Sequence, residues 1–111
     1  MKKKVIILGG GESGIGAALL ARQKGYDVFV SDGGQIGESF KDELTSHAIP
    51  FEEGNHSADK ILDASLIIKS PGIPEKNEMM KRIRRSGIEV ISEIEFAYWY
   101  KGDSKIVGIT G

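Results

Sequence analysis

Apolar residues fall along the chain in short runs separated by longer stretches with helical spacing. The first run, VIIL at residues 5–8, has no polar interruption, as expected of a strand buried on both faces of a parallel sheet. Behind it, Ala17, Leu19, Leu20 and Ala21 give a helix its apolar face, and Gly25 closes that helix as a left-handed terminal residue. DVFVS at residues 27–31 predicts a second strand. Phe40, Leu44 and His47 at i, i+4 and i+7 predict a helix over about 36–47. IPFEEGNH offers a short third strand and a loop, and SADKIL a short helix with Ser57 as N-cap. SLIIK at residues 65–69 is the fourth strand. A helix carrying Met79, Met80, Ile83 and Arg84 ends at Ser86 and Gly87, IEVIS is the fifth strand, and EIEFAYWY begins another helix.

Strands alternating with helices predict an α/β fold: a Rossmann-like, doubly wound sheet of about five parallel strands, its crossovers right-handed. At 111 residues the length suits one domain with a real core. YKGDSK at residues 100–105 reads as a linker, so residues 1–100 form the domain and residues 101–111 a linker plus the first strand of a further domain. That strand, apolar and separated from its own sheet, offers a route to self-association by edge pairing.

Charge and composition narrow the chemistry. Fifteen basic against sixteen acidic residues leave a net charge of -1, which provides no general attraction for nucleic acid or an anionic membrane. KRIRRSG reads as a solvated helix face. No apolar run approaches the roughly 18 residues of a bilayer span, and with no cysteine a cytoplasmic protein is the simplest expectation. His47 reads as a helix-terminal residue, its positive form favoured near a helix C-terminus, and His56 as a solvated loop residue, because nothing at metal-ligand spacing accompanies it. Phe96, Tyr98, Trp99 and Tyr100 read as packing for the last helix or for a seam with a neighbouring domain.

Gly9, Gly11 and Gly14 fit G-x-G-x-x-G between a strand and a helix. Glycine there permits a tight turn and a close approach of backbone to a pyrophosphate, whose charge faces the N–H groups opening the helix. Asp32, at the end of the second strand, stands about 20 residues further on, where a carboxylate accepts from a ribose hydroxyl; the plainer role for it is capping the following turn. Ser70, Pro71 and Gly72 follow the fourth strand and, taken alone, are a Pro-Gly turn. On these residues alone, an NAD-binding module of a dehydrogenase or regulatory protein remains open.

GGGESGIGAALLARQKGYDVFVSD, IIKSPGIP, SEIEFAY and the terminal IVGITG, in this order and spacing, resemble the amino-terminal domain of the Mur ligases. Within that family the chain is most similar to the enzymes that add D-glutamate to UDP-N-acetylmuramoyl-L-alanine in peptidoglycan precursor synthesis. The resemblance implies that Gly11, Glu12, Ser13 and Gly14 lie against the diphosphate and uridine, Asp32, Gly33 and Gly34 against the uracil and ribose, and Ser70, Pro71 and Gly72 against the sugar. It implies that Gly111 is the first residue of an ATP-binding phosphate loop. ATP and Mg2+ then belong to the full-length enzyme, whereas this fragment holds no cofactor, metal or catalytic residue. Two departures stand out. Glu12 brings a negative charge into the phosphate loop and should turn away from it or reach the base edge. Gly33 and Gly34 lack the polar side chains of some relatives, so contacts there fall to the backbone or to residues elsewhere.

Overall fold

A computed structural model describes residues 3–74 and 76–101. Its elements follow the expected order: β1 (Lys4–Leu8), α1 (Glu12–Gln23), β2 (Asp27–Asp32), α2 (Glu38–Ser46), β3 (Phe51–Glu53), α3 (Ala58–Ile61), β4 (Leu66–Lys69), α4 (Glu78–Ser86), β5 (Glu89–Ser92) and α5 (Glu93–Lys101). The strands form one parallel sheet in the order β3-β2-β1-β4-β5. The chain winds outward from β1 through β2 to β3, then crosses back to β4 on the other side of β1. The carboxyl ends of β1 and β4 therefore flank the point where the winding reverses, which is where open α/β sheets bind ligands. The expected strand at the end of the chain, and Gly111 with it, lie outside the described residues.

The side-chain period of two divides the sheet into two faces. Val5, Ile7, Val28, Val30, Leu66 and Ile68 face α1, α2 and α5, and their cluster includes Ile15, Ala18, Leu44 and Phe96. Ile6, Leu8 and Ile67 face the other way, onto Ile61 of α3 and Met80 and Ile83 of α4. β1 is central and covered on both sides, which explains its uninterrupted apolar run.

Small residues set α1 close to the sheet. Its buried stripe is Gly14, Ile15, Ala17, Ala18 and Ala21, while Leu19 and Leu20, expected on that face, are half-buried at its margin. Gly25 (φ +91°) and Gly87 (φ +82°) follow α1 and α4 in the left-handed region, the second as the C-cap itself. α2 is shorter than its periodicity suggests. Ile36 is buried but precedes the helix, and His47 is an exposed C-cap followed by Ala48 at φ 58°. In α5, Phe96 is buried and packs edge-on to Tyr26 and Tyr100, whose hydroxyls lie 2.6 Å apart, whereas Tyr98 is exposed.

Candidate functional site

Three segments converge at the carboxyl ends of β1, β2 and β4: the glycine loop, the turn after Asp32 and the turn at Ser70. The Gly9 N–H donates to the Ser31 carbonyl at 2.9 Å, and the Ser70 N–H donates to the Leu8 carbonyl at 3.0 Å. The chain thus leaves β1 wedged between its two neighbours.

The glycines of the loop have separate jobs. Gly9 sits at φ +110°, and a Cβ on it would come within 2.7 Å of the Ser70 Cβ. A Cβ on Gly14 would overlap the Gly9 carbonyl oxygen, so this glycine is what lets α1 start directly under the loop. Gly11 differs from both, because a Cβ there meets nothing within 4 Å and its backbone (φ -81°, ψ -170°) suits any residue. Gly11 is the N-cap of α1 and provides no side-chain cap. The first-turn amides of Glu12, Ser13 and Gly14 are consequently left for a partner outside the helix. Glu12 and Ser13 are exposed.

Asp32 uses both carboxylate oxygens. Oδ1 accepts from the Gly34 N–H at 2.8 Å, which is the turn-capping role, and Oδ2 accepts from the Gly10 N–H at 2.8 Å. The second bond fastens the glycine loop to the end of β2. Gly34 is held again through its carbonyl, which accepts from the Gly54 N–H at 2.8 Å. At the other side, Ser70, Pro71 and Gly72 form a turn closed by the Ile73 N–H donating to the Ser70 carbonyl at 3.2 Å. Of the expected site residues, Ser13 and Pro71 line one groove, and Asp32 ties the glycine loop to the turn at Gly34.

Beside Gly33 lies a polar cluster that the sequence reading did not anticipate. Glu52 on β3 accepts from the Ser57 hydroxyl (2.6 Å), the Ser57 N–H (2.7 Å) and the Ser31 hydroxyl (2.8 Å). Ser57 stands at the N-cap position of α3, as expected, but its hydroxyl proton goes to Glu52 and its side chain does not cap the helix. The Ser31 Oγ also lies 2.7 Å from His56 Nδ1, so His56 is anchored in the site and is not the solvated loop residue expected. The only advance signal was the proximity of four polar residues to the ends of β2 and β3.

Burial pushes the Glu52 carboxyl up, but the hydrogen bonds from Ser57 and Ser31 and the Lys60 charge outweigh it and hold the group below its ordinary 4.5. A depressed acid stabilises the fold above its unfolded value and loses that contribution as pH falls through the lower folded value. Urea unfolding across pH ~5 to ~3 should therefore weaken the parent more steeply than Glu52→Gln, which has no such titration. Parallel stability profiles would show that the cluster is not formed in solution.

A second unanticipated feature is Glu93. Ser92 ends β5 and caps α5 at once, its Oγ accepting from the Glu95 N–H at 3.0 Å, so the S-x-x-E capping signature at residues 92–95 could have placed this junction. The absence of a loop drives Glu93 inward. It is 8% exposed, its Oε2 lacks a hydrogen-bond partner among the described residues, and it lines a groove with Ser13, Gly16, Pro71 and Phe96. Among the described residues no group of three or more His, Asp or Glu side chains converges as metal ligands would, and no helix is long and apolar enough to cross a membrane.

Comparison with known proteins agrees with this architecture. Residues 3–92 match the family model described as the Mur ligase MurD-like, N-terminal domain. Among similar proteins, the UDP-N-acetylmuramoylalanine--D-glutamate ligase of Cytophaga hutchinsonii is 59% identical over all of this chain and 25% of its own length. That of Bacteroides fragilis is 49% identical over 98% of this chain and 24% of its own. The chain thus spans about a quarter of the relatives it matches. Among solved structures, UDP-N-acetylmuramate-alanine ligase MurC from Thermotoga maritima superposes with a TM-score of 0.78 at 25% identity, over 93% of this chain and 24% of that one. A pseudomurein peptide ligase type C from Methanothermus fervidus gives 0.74 at 29% identity, over 89% and 20%. With its glycine loop at the reversal point of a β3-β2-β1-β4-β5 sheet and its match across residues 3–92, the chain belongs to the MurD-like amino-terminal domains of the Mur ligases.

Proposed function

We propose that this chain is the substrate-anchoring domain of a cytoplasmic, ATP-dependent ligase that joins D-glutamate to UDP-N-acetylmuramoyl-L-alanine in peptidoglycan precursor synthesis. The observation that carries this reading is Gly11, the one fingerprint glycine for which neither packing nor dihedral angles demand a glycine. Its use is explained by a ligand whose backbone approach would be blocked by a side chain. The diphosphate is assigned to the first-turn amides of Glu12, Ser13 and Gly14, where N–H groups and the helix dipole both favour an anion. The uridine is assigned to Asp32, Gly33 and Gly34, and the sugar to Ser70, Pro71 and Gly72. Family membership disfavours the NAD-binding alternative, which shares the loop.

In such a ligase the alanyl carboxylate receives a phosphoryl group from ATP, and the amine of D-glutamate then displaces phosphate to form the amide. This domain would do none of that chemistry. Residues 101–111 are assigned to the linker and first strand of the ATPase domain, with Gly111 opening its phosphate loop, and ATP, Mg2+ and D-glutamate are assigned to the rest of the enzyme. The anchoring domain fixes one end of a long substrate so that its other end is positioned, an effect worth up to about 7–11 kcal/mol in ideal cases.

An NMR titration of the labelled chain tests the reading. UDP-N-acetylmuramoyl-L-alanine and UDP are expected to shift the amides of Gly11, Glu12, Ser13, Gly14, Gly33 and Gly34, and NAD to leave them in place. Shifts with NAD alone would turn the same crevice into a dinucleotide site.

A further inference from the structure

The cluster around Ser31 fixes the chemistry of one face of the crevice. A serine hydroxyl has a single proton. Ser31 spends its own on Glu52, since an ionised carboxylate can only accept, at 2.8 Å. Its 2.7 Å contact with His56 Nδ1 must then run the other way, with Nδ1–H donating to Oγ. Neutral His56 is thereby locked as the Nδ1–H tautomer, which leaves Nε2 a bare acceptor. Nε2 has no hydrogen-bond partner among the described residues and lies against Gly33, 3.2 Å from where a Cβ would stand. The glycine that lacks a side chain thus has an imidazole acceptor directly beside it.

We infer that His56 is a specificity-determining residue of the nucleotide site: its Nε2 accepts a hydrogen bond from a nucleoside donor, the uracil imide N–H or the ribose 2′-hydroxyl. The inference rests on the uridine lying beside Asp32, Gly33 and Gly34 as proposed above. Ser31 and Glu52 act as positioning residues through the imidazole. Glu52 accepts a hydrogen bond from the Ser31 hydroxyl, and Ser31 Oγ in turn accepts one from Nδ1–H. A neutral acceptor at this point favours uracil, which carries an imide N–H, over cytosine, whose ring nitrogen there is itself an acceptor.

Two measurements on the chain test this. Long-range 15N–1H correlation is expected to show His56 protonated on Nδ1 and bare on Nε2, and Ser31→Ala is expected to release that preference. A bare Nδ1 in the parent would overturn the assignment. Calorimetry then compares UDP with 3-methyl-UDP, which lacks the imide proton, and with 2′-deoxy-UDP. One analogue is expected to bind the parent about five- to tenfold more weakly than UDP, as loss of one hydrogen bond implies. It is expected to bind His56→Phe as UDP does. The analogue that loses affinity identifies the donor. Equal affinities of all three for the parent would overturn the inference whether or not His56→Phe folds, while UDP shifts at Gly11 and Gly14 would leave the anchoring reading standing. Failure of UDP to bind anywhere would remove both.

Discussion

Gly14→Ala is expected to destabilise the domain by about 3 kcal/mol, the upper end of the cost of forcing extra atoms into a packed site, because here neither neighbour can yield. On helix propensity alone the sign would be opposite, because alanine in a helix is favoured over glycine by about 1 kcal/mol. Sterics decide it. The new Cβ would overlap the Gly9 carbonyl oxygen, and neither partner is free to move. Gly9 is held by its N–H bond to Ser31 and abuts Ser70, while α1 is locked to the sheet through Ile15, Ala18 and Ala21. At about 4–8 °C per kcal/mol for a domain of this size, the melting temperature should fall by at least about 12 °C. Gly16→Ala in the same helix is the control, since its Cβ meets nothing within 4 Å, and it is expected to raise stability by about 0.5–1 kcal/mol. Thermal unfolding followed by circular dichroism separates the two. A Gly14→Ala variant as stable as Gly16→Ala would mean that α1 does not start against the loop.

The contrast also marks what a sequence can reveal. Alternating runs were enough for the sheet because β1, β2 and β4 are apolar wherever a helix covers them, and Gly25 and Gly87 end helices by a backbone requirement readable from their identity alone. α2 starts two residues later than its periodicity implied, because Ile36 is buried in the segment before it, and its end was harder to place because Ala48, not a glycine, takes the left-handed conformation there. Within the site, the loop and the two turns were legible as local patterns. The partners of their side chains were not. Asp32 reaches back across 22 residues to Gly10, Ser31 reaches 21 forward to Glu52 and 25 to His56, and no spacing rule links such positions before the sheet brings β1, β2 and β3 side by side. His56 looked solvated for that reason. Glu93 was hidden differently, since burial of a carboxylate runs against expectation and followed only from the direct passage of β5 into α5.

Gly11→Val is expected to leave the fold intact and to weaken binding of UDP-N-acetylmuramoyl-L-alanine by about 100-fold, roughly the loss of one or two hydrogen bonds to a charged phosphate. Stability should change by no more than about 1 kcal/mol, because two small effects oppose each other. Valine narrows the unfolded ensemble, which favours folding, while an N-cap position prefers glycine to a β-branched residue. The extended backbone of Gly11 accepts valine without strain, and its Cβ points into open space. On the proposed reading, the diphosphate comes through that same space to reach the amides of Glu12, Ser13 and Gly14, so the isopropyl group would stand between anion and donors. Calorimetric titration of the folded variant measures the effect. Unchanged affinity would move the diphosphate off the α1 N-terminus, and a loss of affinity accompanied by unfolding would show that Gly11, like Gly14, is required by the fold.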